Sequence, residues 1–386
     1  MQSNAPNIFI VADIYDINSG GGRQLSYTLP ALSKKANIVV ILTKESSLSS
    51  FLRIKNLRVE IIRCMNSMDL LFTLRVYYFI LQTNSDAPII HTHTERTSFL
   101  INPLAFLLNI PVITTVHRSL LRGSPWRSNT FKSGLFLFVE NTILRYLTSQ
   151  VVVISSDLGD ELVHSRQIQA YKVSVISNSV PPPRLSPSFS PSALNITNNN
   201  VIRIASILRS SYEKGSDLFF SDIFIETCTL LNENVEIILI GIQISPLLCS
   251  QILKIEESHP RINFTIIERT SNVYSLLVYS DIYIQPSRSE AFCISVIEAS
   301  LIGLPIIAND LDIFREVLSG YNKFRLLSLH DPLLGPEVLS SCIKGLLNMP
   351  PKAPLLQHTG RWNKYPYSIN DTAFLLHQIY EKTSKK

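Results

Sequence analysis

The residues best placed to do chemistry lie in the second half of the chain. Ser287-Arg-Ser-Glu290-Ala-Phe-Cys-Ile-Ser-Val-Ile-Glu298 carries two carboxylates eight positions apart. Glu290 precedes the expected start of a helix near Ser295, and Glu298 falls roughly two turns later, so the pair can flank a ligand at that helix N-terminus, where unpaired N–H groups favour an anion. Taken alone, Glu298 reads equally as an ordinary surface residue. Arg209 and Lys214, in Leu208-Arg-Ser-Ser-Tyr-Glu-Lys-Gly215, follow an apolar run and could converge on a diphosphate, a planar fork beside a compact charge. Two loop cations are also commonly no more than solvated. Near the N-terminus, Gly20-Gly21-Gly22 could bring backbone N–H groups close to a phosphate. It lacks the G-x-G-x-x-G spacing, and a tight turn without a ligand fits it as well.

These groups need elements to hold them. Asn7 to Asp13 reads as a strand, the glycines as a loop, and Leu25, Leu29 and Leu32 as a helix that Pro30 should kink or shorten. Further apolar runs at Ile38–Leu42, Ile89-Ile90, Val112-Ile113 and Val151–Ile154 alternate with helical stretches, which implies a parallel sheet covered on both faces. Residues 181–200 hold five Pro and no sustained apolar period and read as a linker. Alternation then restarts with strands at Ile202–Ile207, Val235–Ile240, Ile262–Ile267, Ile282–Ile284 and Ile306–Ala308. Helices are expected from Asp217, near Pro246–Glu256 and from Ser295. The expected domains are 1–180, then the linker, then 201–361, with a tail at 362–386. No repeat is visible.

Composition narrows the class. A chain of 386 residues with 17% charged and 46% hydrophobic residues can bury two cores and is not disordered. Five scattered cysteines without a C-x-x-C argue against a disulfide framework or a zinc cluster and suggest reduced thiols in a cytosol. The opening Met1-Gln-Ser-Asn-Ala-Pro6 lacks a signal-peptide pattern, and the uncharged stretch Ile237–Leu253 is broken by Gly241 and Pro246, so no export or membrane span is expected. Residues 1–190 carry 18 Lys and Arg against 11 Asp and Glu, and the remainder 17 against 19. Arg118, Arg122, Arg127, Lys132 and Arg145, opposed only by Glu140, are interleaved with Leu120, Trp126, Phe131 and Phe138. That mixture suits an anionic membrane surface or a lipid-phosphate acceptor, and suits equally a helix with solvated arginines on its outer face.

Glu290 and Glu298 match the E-x7-E motif of retaining GT-B nucleotide-sugar glycosyltransferases. The surrounding Pro286-Ser-Arg-Ser-Glu-Ala-Phe-Cys, Gly303-Leu-Pro-Ile and Arg315-Glu-Val317 resemble glycosyltransferase family 4. Gly21-Gly22, His91-Thr-His93, Thr114-Thr-Val-His117, Ile176-Ser-Asn178, Arg209 with Lys214-Gly215, and Gly241 follow in the order of that family along nearly the whole chain. The resemblance implies an α/β protein of the GT-B class, two Rossmann-like parallel-sheet domains facing across a cleft, with a C-terminal helix crossing back to the N-terminal domain. Arg361-Trp362-Asn-Lys-Tyr365, with Leu375, Leu376, Ile379 and Tyr380, resembles that tail.

By the same resemblance Arg209 and Lys214 would neutralise the donor diphosphate, helped by Gly21, Gly22 and the backbone of Phe292, Cys293 and Ile294, and Glu298 would hold the ribose. Ile267, Glu268 and Arg269 would lie at the base. His117 and Glu290 would flank the transferred sugar as the catalytic residues, while His91 and His93 are more simply structural. Arg118, Arg122, Arg127 and Lys132 would face the acceptor or the membrane. The implied activity is a metal-independent hexosyltransferase without a cofactor beyond its donor. It would act on a glycan or lipid-linked acceptor in bacterial lipopolysaccharide, O-antigen or capsule assembly, in the cytoplasm or at the inner face of the cytoplasmic membrane, and without nucleic acid. The alternatives are a nucleotide-sugar epimerase and a catalytically degenerate protein with a binding or accessory role. Three departures from the family pattern bear on this: Ala291 and Cys293 stand where glycines are usual, Leu208 replaces the Gly before the diphosphate Arg, and Ser179 replaces the Gly after Asn178.

Overall fold

The computed structural model describes residues 5–14, 16–65, 69–119, 130–183, 200–268, 270, 273–349 and 367–384, apart from the side chains of 130–133. The chain divides into two compact units, Met1–Pro181 with Asn363–Lys386, and Pro182–Trp362. The first contains strands β1 (Asn7–Ala12), β2 (Asn37–Leu42), β3 (Arg58–Ile61), β4 (Ile89–Thr92), β5 (Val112–Val116), β6 (Gln150–Val153) and β7 (Val173–Val175). Its helices are α1 (Gly20–Leu32), α2 (Ser47–Ile54), α3 (Leu70–Gln82), α4 (Glu95–Leu107), α5 (Thr130–Tyr146) and α6 (Ser156–Asp160). The second contains β8 (Val201–Ile207), β9 (Asn234–Ile240), β10 (Ile262–Ile267), β11 (Ile282–Gln285), β12 (Ile306–Asn309) and β13 (Phe324–Leu327). Its helices are α7 (Asp222–Leu230), α8 (Pro246–Ser258), α9 (Val273–Val278), α10 (Ile294–Leu301), α11 (Asp312–Val317) and α12 (Pro336–Leu347), and α13 (Ile369–Ser384) returns to the first unit.

Both sheets are parallel, ordered β3-β2-β1-β4-β5-β6-β7 and β10-β9-β8-β11-β12-β13. Alternation along β1 explains why its run is apolar throughout: Ile8, Ile10 and Ala12 join α1, α2 and α13 in one core, whereas Phe9 and Val11 join α3 and α4 in another. In each sheet the strand order reverses once, between β1 and β4 and between β8 and β11. Loops leaving the carboxyl ends of such a pair diverge, and the crevice they leave is where doubly wound proteins bind ligands.

Several expectations change on inspection. The glycine triplet is not a loop; it is the first turn of α1, capped by Ser19. Pro30 lies inside α1, which ends two residues later at Leu32. The helix expected from Asp217 is a short 3-10 turn, Ser216–Phe220, and α7 starts at Asp222 with the Ser221 hydroxyl accepting from Phe224 N at 3.3 Å. Strands β3, β7 and β13 are only 4, 3 and 4 residues long and partly exposed, so they carry no strong apolar run. In α13 Leu376, Ile379 and Tyr380 are buried against the first core as the spacing implies, but Leu375 stays exposed. Arg361–Tyr365 and most of the 181–200 linker lie outside the described residues.

Candidate functional site

The carboxyl edge of the second sheet gathers the charged residues singled out by their spacing. β8 ends at Ile207 beside β11, so the loop carrying Lys214 meets the loop carrying Glu290 although 76 residues separate them, and Lys214 Nζ donates to Glu290 Oε1 at 2.5 Å. The lysine and the carboxylate, assigned above to diphosphate and sugar respectively, are thus in direct contact. Burial works against the Lys214 ammonium, but the charge of Glu290 beside it prevails and holds it above the ordinary lysine range. Arg209 is exposed, and its like charge opposes that of Lys214.

Glu290 is held from behind by a chain of side chains that the motif alone does not reveal. Ser287 Oγ donates to Glu290 Oε1 at 2.8 Å, Gln285 Nε2 to Ser287 Oγ at 2.7 Å, and Tyr283 OH to Gln285 Oε1 at 2.6 Å. The Tyr283 hydroxyl in turn accepts from Ile207 N at 3.2 Å. All three side chains are buried. Their signal was in the sequence: polar residues at every second position of an otherwise apolar strand share a face. Gly215, at φ +65°, allows the lysine loop to pass this strand, because a Cβ there would sit 2.2 Å from the Pro286 carbonyl oxygen. Arg288 fixes the same loop through Asp217, at 2.7 and 2.6 Å, and through the Glu213 carbonyl, which accepts from Arg288 N at 2.8 Å.

Glu298 lies on the second turn of α10 and is 3% exposed, which removes its reading as an ordinary surface carboxylate. Its charge reaches Tyr283. Phe292, Cys293 and Ile294 lead into α10, and Cys293 holds φ +63°, the left-handed backbone that favours glycine. The departure from glycine at 293 therefore keeps the glycine backbone and adds a side chain. Burial, then the Glu290 charge, pushes that thiol up to about 12, so it is neutral. The Leu208 departure is equally accommodated: its side chain enters the core, and Gly241, at φ +97°, leaves room for the Leu208 carbonyl oxygen 2.6 Å from where a Cβ would stand. Beside them Gly241 N donates to Ile267 O at 2.7 Å and Ile244 N to Glu268 Oε1 at 2.8 Å, so Glu268 braces a neighbouring loop. Arg269 lies outside the described residues.

At the first sheet the carboxyl edge is built from imidazoles and hydroxyls. His91 Nδ1 meets Tyr380 OH and His91 Nε2 meets Thr115 Oγ1, each at 2.7 Å. Its ring centroid lies 4.2 Å from that of His93, which stacks on His117 at 5.4 Å and meets it through Nδ1 to Nε2 at 3.2 Å. Burial above all holds His91 down to about 3 and His117 down to about 4, the latter against the pull of Glu95. His93 lies well below the ordinary imidazole range for the same reason, so all three rings are neutral near pH 7. His93 Nε2 is buried with no hydrogen-bond partner among the described residues.

Gly21 and Gly22, expected in the phosphate cradle, lie in the first turn of α1. Gly22 N donates to Ser19 Oγ at 3.1 Å, and a Cβ on Gly22 would stand 2.0 Å from the Asp16 carbonyl oxygen, so this glycine is required by its own loop. Gly21 faces the Ile14 side chain. Ser179, where glycine is usual, is paired: its N donates to Gln24 Oε1 at 2.9 Å and its hydroxyl meets Thr28 Oγ1 at 3.1 Å. Arg118 is tied to Glu95 at 2.6 Å, and Glu140, the lone acid of the basic stretch, is buried against Arg166. Arg122 and Arg127, with the Lys132 side chain, lie outside the described residues. Among the described residues no group of three or more His, Cys, Asp and Glu is placed to hold a metal ion. None of their helices is long and apolar enough to cross a membrane.

Two Rossmann-like parallel sheets, each with polar side chains at its switch point, define a protein of the GT-B class. Residues 18–184 match the model of Glycosyltransferase Family 4 and residues 195–326 that of Glycosyl transferases group 1; the chain belongs to these glycosyltransferases. It is similar to a human phosphatidylinositol N-acetylglucosaminyltransferase subunit, 24% identical over 330 residues that take in 82% of this chain and 64% of that relative. The chain thus spans less than two thirds of that relative's length. Among solved structures it is similar to a glycosyltransferase from Rickettsia africae (TM-score 0.70, 18% identity, 99% of both chains). It is also similar to Anabaena Alr3699/HepE in complex with UDP (TM-score 0.69, 17% identity, 98% of this chain and 100% of that one). At such identities these two likenesses are of fold.

Proposed function

We propose that this chain transfers a hexose-like unit from a nucleoside diphosphate sugar to a hydroxyl of a lipid-linked or glycan acceptor, retaining the anomeric configuration and needing no metal ion. The observation that carries the reading is the Lys214–Glu290 pair at the switch point of the second sheet, held by the Tyr283-Gln285-Ser287 chain with Glu298 nearby on α10. An ammonium has three donors and Glu290 takes one, so Lys214 can keep its carboxylate and still serve diphosphate oxygens alongside Arg209. The amides at the start of α10 and the helix dipole would support the same anion, and Glu298 would accept from the ribose hydroxyls.

In the reaction the bond between the anomeric carbon and the diphosphate oxygen breaks, leaving an oxocarbenium-like sugar. The acceptor hydroxyl oxygen attacks on the same face, and its proton passes to the departing phosphate oxygen. Fixed cations and amides would stabilise the leaving group in place of a divalent ion, and Glu290 would orient the sugar hydroxyls. The similar solved structures of Anabaena HepE, with UDP and with UDP-glucose, support a nucleotide-sugar donor. The name of the human relative, from a phosphatidylinositol N-acetylglucosaminyltransferase, supports a lipid-linked acceptor.

The test offers UDP-, GDP- and ADP-sugars in the presence of a chelator and measures saturable binding by calorimetry, then nucleotide release with phosphatidylinositol or with lipopolysaccharide, O-antigen and capsule intermediates as acceptors. Binding of one donor class that weakens at least about tenfold in Lys214→Met is expected. Absence of binding with every donor would overturn the donor reading, and turnover restored only by manganese or magnesium would overturn the metal-free mechanism.

A further inference from the structure

Helix α3 is apolar all the way round. Its sequence, LLFTLRVYYFILQ, holds a single charge, Arg75. One face is accounted for: Phe72, Val76 and Ile80 lie in the core with Phe9, Leu100 and Ile101, Thr73 Oγ1 donates to Leu100 O at 3.0 Å and Tyr77 OH to Ile101 O at 2.9 Å. The opposite face is not. Leu70, Leu71, Leu74, Tyr78 and Leu81 are between 56% and 72% exposed, and their spacing puts them in one stripe about 100° wide. Met65, just ahead of the helix, is 80% exposed. Water gains nothing from such a stripe, and a contiguous exposed apolar face marks an interaction surface.

The surroundings of the stripe say what covers it. Arg63 and Arg75 line a shallow groove of about 410 Å³ beside Tyr78 and Phe79, with Glu60 the sole carboxylate among its lining residues. The Arg58 guanidinium lies 5.2 Å from the centroid of the Phe79 ring, on the same flank. Leucines and a tyrosine rimmed by three arginines are complementary to an acyl-chain boundary under anionic headgroups. At 13 residues the helix is about 20 Å long, too short to span the roughly 30 Å hydrocarbon core, so it suits the plane of the interface. A second copy of the chain paired through the same helix would bring like-charged arginines together.

We infer that the outer face of α3, rimmed by Arg58, Arg63 and Arg75, docks this domain on an anionic phospholipid surface. Its residues differ from those of the 118–132 segment, whose pattern suited an anionic membrane surface and a helix with solvated arginines equally. The inference extends the lipid-acceptor reading above but is tested without any sugar or acceptor, so that either can fail alone.

The full-length protein is co-sedimented with vesicles of phosphatidylcholine alone and of phosphatidylcholine with phosphatidylglycerol. Binding to the anionic vesicles only, falling with salt, is expected. Leu71→Ser with Leu74→Ser should weaken it by about tenfold or more, and Arg63→Gln with Arg75→Gln by roughly fivefold per charge. These side chains are largely exposed or lie at a groove, and unchanged thermal unfolding in each variant checks that the fold is intact. In a separate variant, Leu74→Trp, the indole emission should shift to shorter wavelength on anionic vesicles. Equal binding to both vesicle types, or no loss on removing the leucines, overturns the inference. Light scattering that shows wild-type dimers, dissociated by the same leucine substitutions while vesicle binding is absent, assigns the face to a second copy and overturns it as well.

Discussion

The switch points of the two sheets share a strand order and differ in the side chains they carry. In the first, three imidazoles that burial keeps unprotonated stand at the strand ends, His91 joined to Tyr380 and Thr115, and an Arg96–Asp13 ion pair at 2.9 Å ties the loop after β1 to the start of α4. In the second, Lys214 stays charged because the Glu290 carboxylate it pairs with outweighs the cost of burial. The same backbone scaffold therefore carries an edge of buried neutral imidazoles in one sheet and an ionic edge with a buried ammonium–carboxylate pair in the other.

Breaking the ionic edge should cost most. Glu290→Gln keeps the shape and removes the charge, and kcat with the preferred donor should fall by about 10²–10³, read from initial rates. Acid attacks the other edge. The unfolded chain protonates its histidines near their ordinary pKa of about 6.5, whereas folded His91 and His117 resist until about 3 and about 4. Stability is therefore complete above about pH 6.5 and lost as the pH falls toward those folded values, by about 1.4 kcal/mol per pH unit for each histidine. Urea unfolding at a series of pH values should show this slope, reduced in His91→Asn.

Smaller effects sharpen the contrast. Gly215→Ala drives a Cβ into the Pro286 carbonyl at a positive φ and should destabilise by about 2–3 kcal/mol in denaturant unfolding. Tyr380→Phe leaves one His91 nitrogen without its partner and should cost about 1 kcal/mol by the same measurement. Cys293→Gly should be nearly neutral, the released left-handed strain offsetting the lost burial. Cys293→Val, which is β-branched, should lose about 2 kcal/mol, and a Tm comparison of the two separates backbone from side chain.

Much of the fold was legible because parallel strands buried on both faces leave long apolar runs, as in β1, β2 and β9. The Glu290–Glu298 spacing likewise placed both carboxylates around the start of α10. Gly20–Gly22 read as a loop and is the first turn of α1, and a glycine needed for close packing against Asp16 is indistinguishable in sequence from one needed for a ligand. Strands β3, β7 and β13 escaped because a strand of 3 or 4 partly exposed residues has no period to detect.

By itself the sequence determined the two parallel-sheet domains and the residue types at their edges, because burial on both faces and charge in loops are local demands that each segment meets alone. Tertiary structure decided which of those residues meet. Tyr380 reaches His91 across 289 positions and Lys214 reaches Glu290 across 76, pairings fixed by strand order and by the return of α13. It also decided that, among the described residues, the second face of α3 is left exposed. Local periodicity records that a face is apolar, and only the packed neighbours record whether anything covers it.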